Sequence, residues 1–299
     1  GGTDLQQAIG IDVEGHLQEL ATWLIQIVKR SRVFHLREYL KTPLTLTNGE
    51  WHAKLTENDL LAIADTKLVL GNWYAECTMN GRSLPDFAAI LGMCTANYGH
   101  TRAIYQYLAA HGHDYDYLER GRGPEDICSS NLLDEAPAGW EDFIVSTWLA
   151  ELSTWMLASG FLKHEDRAVA GITKKIGEET YFHLKYSQGW FQILGEGKKQ
   201  SKLFQKAFAH RFPLALQWFG PARGKDPVHD AGIRDVPLKK LRDAFIKETA
   251  AAEKLLGADL EQEKSVKFAK DWRSDARRFG AMPDGLFEVV RFKDAEIAH

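Results

Sequence analysis

Two pairs of long helical runs in this chain repeat one plan, a glutamate on the first run and a histidine on the second: Glu76 then His100, and Glu151 then His183. That repeat narrows the fold sharply. In four-helix bundles that hold two irons, each half of the site is a Glu from one helix plus a Glu-x-x-His pair from the next. The spacing works because positions three apart point the same way into the core. The second histidine here ends the stretch Gly177-Glu178-Glu179-Thr180-Tyr181-Phe182-His183, and the first ends Ala96-Asn97-Tyr98-Gly99-His100. Three residues before each histidine, where the motif wants Glu, stand Asn97 and Thr180.

The helices around these residues follow from apolar periodicity and end signals. Leu17, Leu20, Ala21, Leu24 and Val28 recur at helical spacing and predict an amphipathic helix over 12–32, followed by an irregular connection over 41–55 with Pro43 and Asn48-Gly49. Thr56-Glu57-Asn58-Asp59 reads as a capping box opening a helix that runs from Leu60 to about Met79. On that helix Asp65, Val69, Trp73 and Glu76 share a face, which predicts that Glu76 emerges among apolar neighbours. Ser83 and Pro85 start the next helix, which carries His100 at its middle. The polar, glycine- and proline-containing segment 111–139 is too long for a tight turn and reads as a crossover between two helix pairs. Trp140 to about Phe161 and Asp166 to Trp190 form the second pair, with Glu151 and His183. A helix over 201–219 interrupted by Pro213 follows, then one capped by Asp235 and stopped by Gly257. The fold class expected is all-α, a four-helix bundle core over 56–195 within a single domain. Accessory helices are expected at 12–32 and 198–257, and an irregular tail over 258–299.

Several functional classes lose support. A net charge of -4, from 37 basic and 41 acidic residues, argues against nucleic-acid binding, which needs a concentrated positive field. No apolar run reaches membrane-spanning length, and the start of the chain lacks a basic-then-apolar leader, so a cytoplasmic location is expected. Cys77, Cys94 and Cys128 form an odd set without metal-binding spacing and read as reduced thiols. No phosphate-binding glycine loop or nucleophile elbow is present. Trp73, Tyr74, Trp148 and Trp155 fall at helical spacing, which favours plain core over a substrate cavity. Lys198, Lys199 and Lys202 read as a solvated helix start rather than a CoA-phosphate site.

Over residues 56–257 the chain resembles the ferritin-like subunits of the phenylacetyl-CoA monooxygenase (ring 1,2-epoxidase) family, both the catalytic A-type and the structural C-type. The resemblance is carried by Leu68-Val69-Leu70-Gly71 leading to Glu76, by Tyr98-Gly99-His100-Thr101-Arg102-Ala103, by Glu151, and by Glu178-Glu179-Thr180-Tyr181-Phe182-His183-Leu184. Arg211-Phe212-Pro213 through Phe219-Gly220-Pro221, with Leu255-Leu256-Gly257, is similar to the A-type in particular. The resemblance implies a di-iron centre that activates dioxygen and places one oxygen atom in the aromatic ring of a CoA thioester. It also implies partnership with a related ferritin-like subunit, in a homo- or hetero-oligomer, and with a reductase.

Carried across residue by residue, Glu76, His100, Glu151 and His183 match ligand positions of that family, whereas Asn97 and Thr180 stand where the catalytic subunit has Glu. A neutral amide and a hydroxyl do not supply the anionic oxygen that two iron ions require. Glu179, four residues before His183, offers a further carboxylate if a π-bulge swings it inward. Three outcomes stay open on these residues: a di-iron pair, a single metal held by Glu76, His100, Glu151, His183 and Glu179, or no metal and buried Glu-His pairs. The leading expectation is a subunit with a degenerate metal site and a structural role. The alternative is a catalytic metal-dependent oxygenase.

Overall fold

The computed structural model describes residues 50–291, apart from 196, 222–224, 259–265, 267 and 269. The helix expected over 12–32 and the end of the tail beyond 291 lie outside them.

Four long helices form the core: α1 (Glu50–Cys77), α2 (Leu84–Ala110), α3 (Trp140–Ser159) and α4 (Arg167–Gly195). α1 pairs with α2 and α3 with α4, while α1 also meets α3 and α2 meets α4, which closes a ferritin-like four-helix bundle. α5 (Lys198–Trp218) lies along α3, and α7 (Leu238–Leu256) covers α3 and α4. A single turn, α6 (Pro227–Asp230), and a short helix, α8 (Asp284–Arg291), complete the helical set. The strand content of the described residues is one two-residue hairpin, Trp272–Arg273 against Arg278–Phe279, in the segment expected to be irregular. Among the described residues no helix is long and apolar enough to cross a membrane.

The helix ends show why these segments begin and stop where they do. At α2 the Ser83 hydroxyl accepts from the Asp86 amide at 3.3 Å, and Pro85 occupies the first turn, where its missing N–H costs nothing. At α7 Gly257 takes a left-handed conformation, φ 65°, and ends the helix by the expected C-cap device.

Two expected starts are corrected. α1 runs straight through Thr56 from Glu50, and Asp59 faces Arg277 at 2.6 Å rather than capping a helix, so tertiary pairing overrides the local box. α7 begins at Leu238, with Pro237 and not Asp235 at its N-cap.

α3 is the most enclosed helix, with every residue from Phe143 to Thr154 buried. The four aromatic residues singled out in the sequence pack as core: Trp148 stands edge-on to Phe191 and Phe208, and Trp73 lies beneath the Arg211 guanidinium. The crossover between α2 and α3 lies only partly on the surface. Ile127, Leu132 and Leu133 are buried, and Arg122 within it reaches α1 to make two hydrogen bonds to Asp65, at 2.6 and 2.7 Å. Tyr105 Oη, at 2.6 Å, and the Cys128 amide, at 2.7 Å, donate to the same carboxylate, so the buried charge is fully partnered.

Candidate metal centre and its replacement

α1 presents two buried faces. One bears Asp65, Val69 and Trp73 and is covered by the crossover, α5 and the C-terminal segment; the other bears Ile63, Lys67 and Tyr74 and looks into the bundle. Glu76 continues the first face. It emerges exposed near the end of α1, in a shallow groove with Asn72, Cys77, Asp134 and Leu286, and stands apart from the polar cluster in the bundle. The expectation that Glu76 joins His100, Glu151 and His183 is therefore corrected. The face chosen from the sequence is buried, but against a different layer.

At the centre of the bundle lies Glu151, fully buried on α3. His183 Nδ1 donates to its Oε1 at 2.8 Å, Asn97 Nδ2 donates to the same oxygen at 2.9 Å, and Tyr74 Oη is 3.4 Å away. Its other oxygen is in direct contact with the ammonium of Lys67, a side chain with no exposed surface. Lys67 Nζ also donates to Thr180 Oγ1 at 3.3 Å. The two residues that replace the motif glutamates thus have partners of their own: Asn97 binds the carboxylate and Thr180 receives the ammonium.

Glu179 stands on the other side of the cluster. Its Oε2 lies 2.7 Å from His100 Nε2, and its Oε1 is 2.5 Å from Lys175 Nζ. α4 is regular through this stretch, so Glu179 reaches His100 without the π-bulge invoked for it. The Nδ1 of His100 is buried without a hydrogen-bond partner among the described residues, as is Oδ1 of Asn97.

The electrostatics follow from burial and pairing. Burial by itself pushes the Glu151 carboxyl up, but the Lys67 ammonium and the His183 ring outweigh it and hold the group far below the ordinary carboxylate range. Burial draws His100 down to about 4, against the opposing pull of Glu179, and Lys67 adds to the depression. Burial opposes ionisation of Glu179 as well, yet contact with His100 and then Lys175 takes it to about 2. Tyr74 is raised well above its usual value, first by burial and then by the Glu151 charge. At neutral pH the centre therefore holds an ionised Glu151 against the Lys67 cation, with a neutral His100 beside an ionised Glu179.

A di-iron or single-iron centre does not fit this set. Among the described residues no three His, Cys, Asp or Glu side chains converge as ion ligands. The donors meet only in pairs, Glu151 with His183 and Glu179 with His100. Asn97 and Thr180 bring no charge, and Lys67 brings charge of the wrong sign for a cation site. Lys67 is the functional residue the sequence reading missed. Its signal was visible as the only basic residue in the apolar stretch Leu60 to Tyr74.

Gly177, which opens the stretch around His183, has a packing role. A Cβ there would meet Cη2 of Trp155 at 2.3 Å, so the glycine lets the indole of α3 lie directly on α4.

A comparison with curated proteins returned no match. The sequence profile of the phenylacetic acid catabolic proteins, the family of the A- and C-type subunits, matches residues 44–275, which span the whole bundle, α5 and α7. With the helical bundle and its internal Glu-His pairs, that match shows that the chain belongs to the phenylacetic acid catabolic protein family.

Proposed function

We propose that this chain is a ferritin-like subunit of a phenylacetyl-CoA 1,2-epoxidase-like multicomponent monooxygenase, with a degenerate metal site and a structural, partner-binding role. The observation that carries the reading is the failure of the family's ligand set to converge: Glu76 faces outward, and Asn97 and Thr180 are spent on partnering Glu151 and Lys67. A bundle whose central carboxylate is balanced by a lysine and whose Glu and His side chains meet only in pairs offers no ligand set for an ion that activates dioxygen. What remains for the chain in the degradation of an aromatic CoA thioester is to hold a related catalytic subunit in its working shape. A cytoplasmic location, a hetero-oligomer with that subunit and a reductase as electron donor accompany this reading.

The alternative, an oxygenase using one iron, draws its support from the carboxylate-imidazole contact of Glu179 with His100. It needs at least one further ligand at that pair. One experiment separates the two readings. Oxygen uptake is measured with phenylacetyl-CoA, iron and a reductase, first for the chain alone and then for its complex with a catalytic ferritin-like subunit. Each measurement is repeated with His183→Ala. A structural subunit shows no uptake alone, and the substitution leaves kcat of the assembled complex unchanged. Uptake by the chain alone that His183→Ala abolishes would overturn the assignment.

A further inference from the structure

Resting on the reading of a non-catalytic centre, we propose that the Lys67 ammonium serves as a built-in cation that takes the charge role of a metal ion in this bundle. Its position beside Glu151 is then the one at which a carboxylate would complete a ligand set with Glu151 and His183, and the ammonium keeps a divalent transition metal out of it.

Three observations converge on it. First, the ammonium is where an ion would have to be. Lys67 Nζ contacts Glu151 Oε2 and Thr180 Oγ1, the latter at a position where the motif has a ligand, while the His183 Nδ1 bound to the same carboxylate is 2.8 Å from Oε1. Second, the charges close without an ion. Lys67 balances Glu151 in the buried interior and Lys175 balances Glu179 at its half-exposed edge, so an added dication beside Glu151 brings two uncompensated positive charges into a buried, low-dielectric volume. Third, donor capacity is left over. His100 Nδ1 is buried and has no hydrogen-bond partner among the described residues. An orphaned imidazole nitrogen is expensive in a core, and an ion is the partner it lacks. Lysine suits the replacement because its flexible stem carries a single charge that does not need the coordination geometry of a metal.

The test is metal content and melting temperature of the purified chain, wild type and Lys67→Glu, after anaerobic loading with Fe(II) or Co(II) and desalting. Lys67→Ala is measured beside them as a variant that removes the ammonium without adding a carboxylate. The wild type is expected to retain less than about a tenth of an ion per chain, and Lys67→Glu about one, a roughly tenfold gain. The Co(II) form of Lys67→Glu should show visible d–d bands, and metal should raise its Tm while leaving that of the wild type unmoved. A variant that is poorly folded without metal should gain helicity on adding it. Stoichiometric metal in the wild type overturns the proposal. So does failure of both variants to gain either metal or thermal stability, whatever their initial foldedness. An inert wild type whose variants also stay metal-free refutes the role of Lys67 and leaves the structural-subunit reading standing, whereas oxygen uptake by a metal-loaded wild type refutes that reading itself.

Discussion

The contact between Lys67 and Glu151 makes a sharp prediction for stability. Both side chains are essentially unexposed, so removing one partner strands the other in the core. Lys67→Met leaves the Glu151 carboxylate with only Asn97, His183 and Tyr74 as neutral or weak donors, and Glu151→Gln leaves the ammonium with Thr180 alone. Breaking a buried pair from one side costs about 3–5 kcal/mol, so each single variant should lose roughly that much. The double variant Lys67→Met/Glu151→Gln buries no charge at this point and keeps an amide to bind Asn97 and His183. Replacing both members of a buried pair by well-packed neutral groups is often close to neutral, so the double variant should be more stable than either single, with a coupling energy of several kcal/mol, above about 3. The assay is guanidinium denaturation followed by far-UV circular dichroism, comparing midpoints at constant slope. If each single costs under about 1 kcal/mol, or if the two add within about 0.5 kcal/mol, the ammonium does not serve as the counter-ion of Glu151 and the reasoning fails.

Further outcomes follow from neighbouring features. His100 is held at about 4, below the roughly 6.5 of an unfolded histidine, so its share of stability is complete above pH 6.5 and is lost as pH falls from there toward 4. The slope is on the order of 1 kcal/mol per pH unit, and His100→Gln should flatten that part of the urea-midpoint profile. Gly177→Ala places a methyl against the Trp155 ring and should cost about 1–3 kcal/mol by overpacking, despite the better helix propensity of alanine; Trp155→Leu in the same chain should recover most of the loss, read by Tm. Burial raises Cys77 to about 11, with Glu76 adding to it, and Cys128 to about 12, so native protein at pH 7.5 should react with a thiol reagent many times more slowly than protein in denaturant.

The helical architecture was readable because four long runs carry apolar residues at helical spacing, and because Ser83, Pro85 and Gly257 act through local geometry that any context preserves. The capping box at Thr56 misled for the opposite reason: Asp59 is claimed by Arg277, more than two hundred positions away, and local chemistry carries no trace of that. Within the site, Glu151 was legible as the lone charged residue in the apolar run from Phe143 to Ala158, and His183 because α4 buries one clear face there. Glu76 was not, because α1 is buried on two sides in its middle. Periodicity locates apolar faces but does not say which layer covers them. The crossover that covers the Asp65 face is polar in composition and reads as loop, yet Arg122 carries it into the core. Lys67 was passed over since a lone lysine in an apolar run is ordinarily a solvent-seeking stem, and only the convergence of α3 and α4 supplies its partners.

Asp65 and Lys67 sit two positions apart on α1, so their side chains leave the helix roughly 200° from one another around its axis. One points at the guanidinium of the crossover, the other at the carboxylate of α3. A helix with apolar residues on both sides has little reason to prefer one rotation about its own axis over another, because many rotations bury similar area. Opposite charges on opposite sides remove that freedom: turning α1 by a single residue swings both groups about 100° away from their partners into hydrocarbon. The acid and the base thus act as a two-toothed key. They fix the rotational setting of α1, and with it the placement of everything else that helix carries.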